Sequence, residues 1–207
     1  MIPGAALAAK LADKRLLIFD FDGTIADSSP LHEAAFKAVL EPIGISVDYP
    51  RMAGRSTRDA VRLCFELAGH AEPKAALIDE LAARKQALGR ELIADQLEAL
   101  PAAAALLAWA KGRFPLALVS SGSRATIELS LARLRMADWF SLVITADEVG
   151  QAKPDPQGFL MAINHLGVPP SAALVFEDAE SGFEAALRAG IEWVDARQLE
   201  GLMTGAT

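Results

Sequence analysis

Apolar residues in this chain fall into two kinds of pattern. Short, largely apolar runs occur at Leu16–Phe19, Leu116–Val119, Leu142–Thr145, Ala173–Phe176 and Ile191–Val194. They are too short for helices and end in polar or Gly-containing turns, which is how strands buried on both faces of a sheet read. Between the later runs, apolar residues recur at helical spacing. These segments are Ala102–Lys111, Arg124–Leu134 with Ser123 as the expected N-cap, a stretch from near Pro156 to about Leu166, and Ala179–Ala189 stopped by Gly190. Such alternation predicts a parallel sheet covered on both faces. The residues after Thr24 differ. Pro30–Leu40, Thr57–Ala68 and Pro73–Ile93 are helical in spacing with few strand signals, punctuated by Gly44, Gly54 and Gly69. The expected fold is therefore α/β: a Rossmann-like, doubly wound parallel-sheet core of residues 1–27 and 97–207 with an inserted all-helical cap, residues 28–96. A hinge is expected at the two crossings, near Asp27–Pro30 and Asp95–Pro101.

Composition narrows the partners. The apolar fraction of 52% supports a sizeable core, and the net charge of −7, with no basic stripe, argues against nucleic acid or an anionic membrane. Cys64 is the only cysteine, so no internal disulfide forms, which fits a reducing compartment. Met1–Ala9 lacks a basic segment and is short for a secretory signal, and Ala102–Ala110 falls far below the ~20 residues of a membrane span. A soluble, cytoplasmic protein is expected.

The chemistry sits at strand ends. Asp20-Phe21-Asp22-Gly23-Thr24 follows directly on the first run. Two acids spaced i, i+2 on extended backbone project to one side, outside the carboxyl end of a strand where α/β sheets bind ligands. Carboxylates crowded there need a proton or a cation to offset them, and a metal beside a free carboxylate suggests phosphoryl chemistry. Val119 is followed by Ser120-Ser121-Gly122-Ser123 ahead of a helix, a setting that favours an anion. Lys153 lies in the rigid turn Ala152-Lys153-Pro154-Asp155-Pro156, and Phe176 is followed by Glu177-Asp178. Each cluster alone is unremarkable: a cap, a solvated lysine, an exposed helix start. Their joint occurrence, each at the carboxyl end of a strand, is what carries weight.

In that order, Asp20-x-Asp22-Gly23-Thr24, Ser120, Lys153-Pro154 and Glu177-Asp178 resemble the four motifs of the haloacid dehalogenase superfamily. The helical block resembles the cap of its β-phosphoglucomutase-like branch, nearest to phosphatases of fructose 1-phosphate or 6-phosphogluconate. This resemblance implies Asp20 as nucleophile and Asp22 as general acid and base. It implies Mg²⁺ held by Asp20, Asp22 through its backbone carbonyl, Glu177 and Asp178. Ser120, Ser121, Lys153 and nearby backbone N–H groups are implied to hold the phosphoryl oxygens. His32, Arg55, Arg58 and Lys85 are the cap residues expected to meet the rest of a small phosphorylated metabolite, with Gly54–Arg58 as the specificity loop. A monomer or weak homodimer is expected.

Two other readings compete. A phosphomutase of the same branch is close, but Thr24 resembles the hydrolases, and Thr57 follows Ser56 where the mutase pattern has an Arg. A receiver-like phospho-acceptor module also joins acids, a hydroxyl and a lysine around Mg²⁺. It has no helical insert after its first strand, and its acceptor Asp lies on a middle strand, where this chain has Ser120.

Overall fold

The computed structural model describes residues 1–52 and 55–205, so Gly54 of the expected specificity loop lies outside the described residues. In chain order the elements are β1 (Ile2–Pro3), α1 (Ala5–Leu11), β2 (Leu16–Phe19), α2 (Ser29–Leu40), α3 (Tyr49–Met52), α4 (Thr57–Leu67) and α5 (Ala75–Gln96). Then come α6 (Pro101–Ala110), β3 (Leu116–Val119), α7 (Arg124–Arg133), β4 (Leu142–Ile144), α8 (Gln157–His165) and β5 (Ala173–Glu177). The last are α9 (Glu180–Arg188), β6 (Glu192–Asp195), α10 (Leu199–Leu202) and β7 (Met203–Thr204).

Five strands form one parallel sheet in the order β4-β3-β2-β5-β6. β2 is its centre, with Leu17 opposite Leu116 of β3 and Leu16 opposite Ala173 of β5. From β2 the chain steps to β3 and β4 on one side, then returns to β5 and β6 on the other. This reversal opens a crevice outside the carboxyl ends of β2 and β5, the place where such sheets bind ligands. The four residues of β2 and the five of β5 are all buried, and Phe19 stacks on Phe176 with ring centroids 4.6 Å apart. The runs of β2, β3 and β5 thus become strands buried throughout, whereas the edge strand β6, expected to be buried on both faces, exposes Glu192 and Trp193. On one face Ile18, Val119, Val175, Phe159 of α8 and Ala185 of α9 share a core.

The chain divides into two compact units, Met1–Asp27 with Glu98–Thr207, and Ser28–Leu97. Within the first unit the two crossings lie side by side: Asp27 N–H donates to the Glu98 carbonyl at 3.3 Å and Leu100 N–H to Ile25 at 2.8 Å. The second unit is helical, with Phe36, Leu40, Ile45, Val61, Cys64 and Ile78 packed inside. Cys64 is buried with its thiol 3.2 Å from the Met52 sulfur. Among the described residues no helix is long and apolar enough to cross a membrane.

Two features depart from expectation. β1 and β7 pair antiparallel, Ile2 with Thr204 and Pro3 with Met203, joining the two ends of the described chain in a second small sheet. Ser123 occupies the N-cap position of α7, but its hydroxyl does not cap. It meets Thr126 Oγ1 at 3.0 Å, while the Arg124 N–H donates to Asp147 Oδ2 at 2.9 Å.

Candidate active site

Asp20 leaves the end of β2 with its N–H donating to the Phe176 carbonyl on β5 at 3.0 Å, so the neighbouring strand fixes where its side chain starts. The next residues turn tightly: the N–H groups of Ile25 and Ala26 donate to the Phe21 carbonyl at 2.9 and 3.1 Å. Gly23 is needed in this turn for two reasons. Its φ is +81°, and a Cβ there would lie 2.2 Å from Asp178 Oδ2. The Thr24 hydroxyl donates to Asp178 Oδ1 at 3.2 Å, tying the first strand end to the fourth cluster.

Lys153 reaches the centre of this arrangement. Its Nζ donates to Asp20 Oδ1 at 2.6 Å, to Glu177 Oε1 at 2.7 Å and to the Val119 carbonyl at 3.1 Å, so the ammonium's three hydrogens all have acceptors. Its aliphatic stem carries the charge past Phe159, whose ring centre lies 5.2 Å from Nζ. The second oxygen of Glu177 accepts the N–H groups of Asp178 at 2.7 Å and Ala179 at 3.1 Å, at the start of α9. Glu177 is 2% exposed, and it fits only because Gly182 stands opposite: a Cβ there would lie 1.7 Å from Oε1.

Carboxylate oxygens of Asp20, Glu177 and Asp178 lie within 4.8 Å of one another. Burial pushes the Asp20 carboxyl well above the ordinary range. Lys153 opposes that shift, while the charges of Glu177 and Asp22 add to it. Burial, then Glu177, lifts Asp178 to about 6 against the pull of the Thr24 hydrogen bond. For Lys153, burial pulls down, but Asp20 and Glu177 outweigh it and hold the ammonium above its usual value. Three acids against one lysine leave excess negative charge in a dry, all-oxygen setting. That donor set fits a hard divalent cation such as Mg²⁺. The Asp22 carboxylate stands outside this cluster of three.

Ser120 is buried beside these groups. Its N–H donates to the Ile144 carbonyl at 3.0 Å, and its Oγ accepts the Gly122 N–H at 3.0 Å. Ser121 is exposed at the rim. The helix start expected to offer free N–H groups therefore already spends two of the loop's donors, Gly122 on Ser120 and Arg124 on Asp147.

In the helical unit, Lys85 is 6% exposed. Its Nζ lies 3.0 Å from His32 Nδ1 and 4.5 Å from the centre of the Phe36 ring. Arg58 pairs with Asp79 in an exposed ion pair, joining α4 to α5. Arg55 is exposed, its Nε donating to the Arg51 carbonyl at 3.4 Å. The contributions of Thr24 and Gly182 to the acid cluster were not among the expected site features. Thr24 stood within the first motif, but nothing local marks a contact across 154 positions.

A sheet with acids, a lysine and a serine converging on its switch point is an acid-rich α/β catalytic site. A family profile described as haloacid dehalogenase-like hydrolase matches residues 14–190. The chain is 36% identical over 187 residues to the fructose-1-phosphate phosphatase YqaB of Escherichia coli, covering 88% of this chain and 96% of that one. It is 32% identical over 186 residues to the β-phosphoglucomutase of Bacillus subtilis, covering 86% and 80%. The crystal structure of β-phosphoglucomutase from Clostridium difficile superposes with a TM-score of 0.77 at 26% identity, covering 88% of this chain and 84% of that one. The chain belongs to the haloacid dehalogenase-like hydrolases. Within that family it is an enzyme of the phosphatase kind.

Proposed function

We propose that this phosphatase hydrolyses a small sugar phosphate monoester through an aspartyl phosphate on Asp20, with Mg²⁺ as cofactor. The observation that carries the reading is Lys153 bonded at once to Asp20 and Glu177, beside Asp178, at the sheet's switch point. Asp20, Glu177, Asp178 and the Asp22 backbone carbonyl are the proposed ligands of a Mg²⁺ ion, which supplies positive charge for the transferring phosphoryl group. Asp20 attacks phosphorus while the ester P–O bond breaks, and Asp22 gives its proton to the departing alkoxide. Asp22 then takes a proton from water, whose oxygen attacks phosphorus, releasing phosphate and freeing Asp20. Lys153 fixes the Asp20 oxygen it binds and leaves the other for the attack. Ser120 accepts from Gly122, so its own hydroxyl proton is available to a phosphoryl oxygen. His32, Lys85 and Arg55 are the proposed residues of the helical unit that select among sugars.

The mutase reading is weaker here on one observation. Arg58, one of the two cations near the Ser56 position, is engaged with Asp79 rather than held for a second phosphate. The test is a panel of sugar phosphates with Mg²⁺. Inorganic phosphate should appear in step with the dephosphorylated sugar, and Asp20→Asn should reduce release below detection. β-Glucose 1-phosphate with added bisphosphate should give no appreciable glucose 6-phosphate. Substantial turnover by Asp20→Asn would refute the nucleophile, and isomerisation faster than phosphate release would replace the phosphatase by the mutase.

A further inference from the structure

Ser120 and Lys153 arrive on different loops, after β3 and after β4, and neither loop is regular structure. A connected set of polar contacts nevertheless joins them. Arg124, the first residue of α7, sends its guanidinium across to β4 and the loop after it: Nη2 donates to the Val143 carbonyl at 2.9 Å and pairs with Glu148 Oε2 at 2.8 Å, and Nε donates to Glu148 Oε1 at 3.2 Å. This is the two-pronged geometry a guanidinium makes with a carboxylate and an ammonium cannot. Glu148 Oε2 also accepts the backbone N–H and the hydroxyl of Thr145, each at 2.7 Å, closing the turn just after β4. Beside it the Ala146 N–H donates to the Gly122 carbonyl at 3.0 Å, and Asp147 accepts the Arg124 N–H. Further along, Gln157 Oε1 accepts the N–H groups of Gly150 and Gln151, each at 2.9 Å, holding the approach to Lys153.

Most ion pairs elsewhere in the chain are exposed and worth little. This one differs in kind. The side chain of Arg124 is 31% exposed and that of Glu148 35%, and three hydrogen bonds from backbone N–H groups or the Thr145 hydroxyl end on the carboxylates of Glu148 and Asp147. Burial raises the Glu148 carboxyl, but Thr145 and Arg124 outweigh it and hold it below the usual range, so the pair stays charged.

We propose that Arg124 and Glu148 are positioning residues: together they brace the Ser120 loop against the Lys153 loop, so that hydroxyl and ammonium meet the same phosphoryl group. The proposal rests on the phosphatase reading for what those groups bind. A displacement of about 1 Å at such a site is enough to cost on the order of a hundredfold in rate.

The experiment compares wild type, Arg124→Ala, Arg124→Lys, Glu148→Gln and the Arg124→Ala/Glu148→Gln double variant, with Arg188→Ala of the exposed α9 pair as control. Binding of inorganic phosphate in Mg²⁺ is read by calorimetry, kcat and KM by phosphate release, and folding by thermal unfolding, all well below the unfolding midpoint. Arg124→Ala should weaken phosphate binding and lower kcat by about tenfold or more. Arg124→Lys should recover only part of that loss, and the double variant should be no worse than Arg124→Ala, because the two residues act as a unit. Arg188→Ala should match wild type. Phosphate binding and kcat within twofold of wild type in folded Arg124→Ala, or strictly additive losses in the double variant, would overturn the brace. If Arg124→Ala does not fold, Arg124→Lys and Glu148→Gln carry the same comparison. Wild type that binds phosphate but hydrolyses no ester would sink the phosphatase reading alone, since the phosphate titration still reads the brace.

Discussion

Gly182 shows how a residue with no functional group can govern a catalytic site. It lies in the first turn of α9, where Ala is ordinarily the better helix former by about 0.5–1 kcal/mol. Here the methyl group would meet the Glu177 carboxylate at 1.7 Å, and that carboxylate holds Lys153 and the first N–H groups beyond β5. The steric term dominates, since overpacking a filled site costs about 1–3 kcal/mol. Gly182→Ala is therefore expected to lower stability by about that amount and to reduce kcat at least tenfold, because Lys153 loses a fixed partner. Gly201→Ala in α10, where a Cβ meets nothing within 4 Å, serves as the counterpart and should be neutral or slightly stabilising. Equal effects of the two substitutions in denaturant titration and turnover would show that Glu177 yields without cost. Most of the gathered residues were legible because they follow apolar runs directly, and parallel strands deliver their ends to one edge; Lys153 instead arrives from the loop nine residues past β4. Which oxygen serves which partner was not legible. The Thr24–Asp178 and Gly182–Glu177 contacts depend on how turn and helix pack, and no local pattern encodes that.

At the scale of elements, helix bounds were legible to within one to three residues at both ends, and several helices close on a recurring device. α4, α8 and α9 close with Gly69, Gly167 and Gly190 at φ of +72°, +64° and +70°. In each, the following N–H returns to the last turn: His70 to Phe65, Val168 to Ile163 and Ile191 to Ala186. α7 closes in the same way, with Met136 N–H donating to the Leu131 carbonyl at 2.8 Å, but the left-handed position is filled by Arg135 at φ +58°. Any Cβ there costs about 1–2 kcal/mol, partly offset by the greater freedom glycine loses on folding. Arg135→Gly should raise stability by about 0.5–1 kcal/mol without altering turnover, measured as a higher denaturant midpoint at unchanged slope. A lower midpoint would mean that the Arg135 side chain contributes more than its backbone costs. The partner that caps a start is harder to read than its position, because several candidate acceptors compete for the same N–H groups. The Ser123 position was legible, but the capping carboxylate comes from Asp147, 23 residues away. β1 and β7 were invisible for a related reason. Two residues cannot show a period, and their pairing spans about the whole chain.

For the molecule as a whole, the decisive quantity is where the net charge of −7 is concentrated. The exposed carboxylates Asp59 and Glu192 and the half-buried Asp195 are held below their usual range, first of all by hydrogen bonds from Ser56, Lys10 and Arg197 respectively. These groups favour the native state above their unfolded pKa and lose that contribution only as pH falls below the ordinary carboxylate range. Asp178 has the opposite sign. Its native pKa of about 6 exceeds the unfolded value of 3.8, so the native state holds the extra proton between them. Without metal, its contribution to stability therefore falls as pH rises from about 4 to about 6, and Asp20 shifts in the same direction. A cation bound by these carboxylates reverses the trend, because it competes with the same protons. Mg²⁺ at about a hundred times its dissociation constant should add about 2.7 kcal/mol to stability near pH 7.5, or about 5–10 °C in unfolding midpoint. That increment should shrink steadily as pH drops through about 6 and vanish near 4, while the metal-free midpoint loses the Asp178 penalty over the same interval. Asp20→Asn should remove most of the increment at every pH, which separates cation binding from a general salt effect. A Mg²⁺ increment that is flat across this range, or fully retained in Asp20→Asn, would place the ion elsewhere than among Asp20, Glu177 and Asp178.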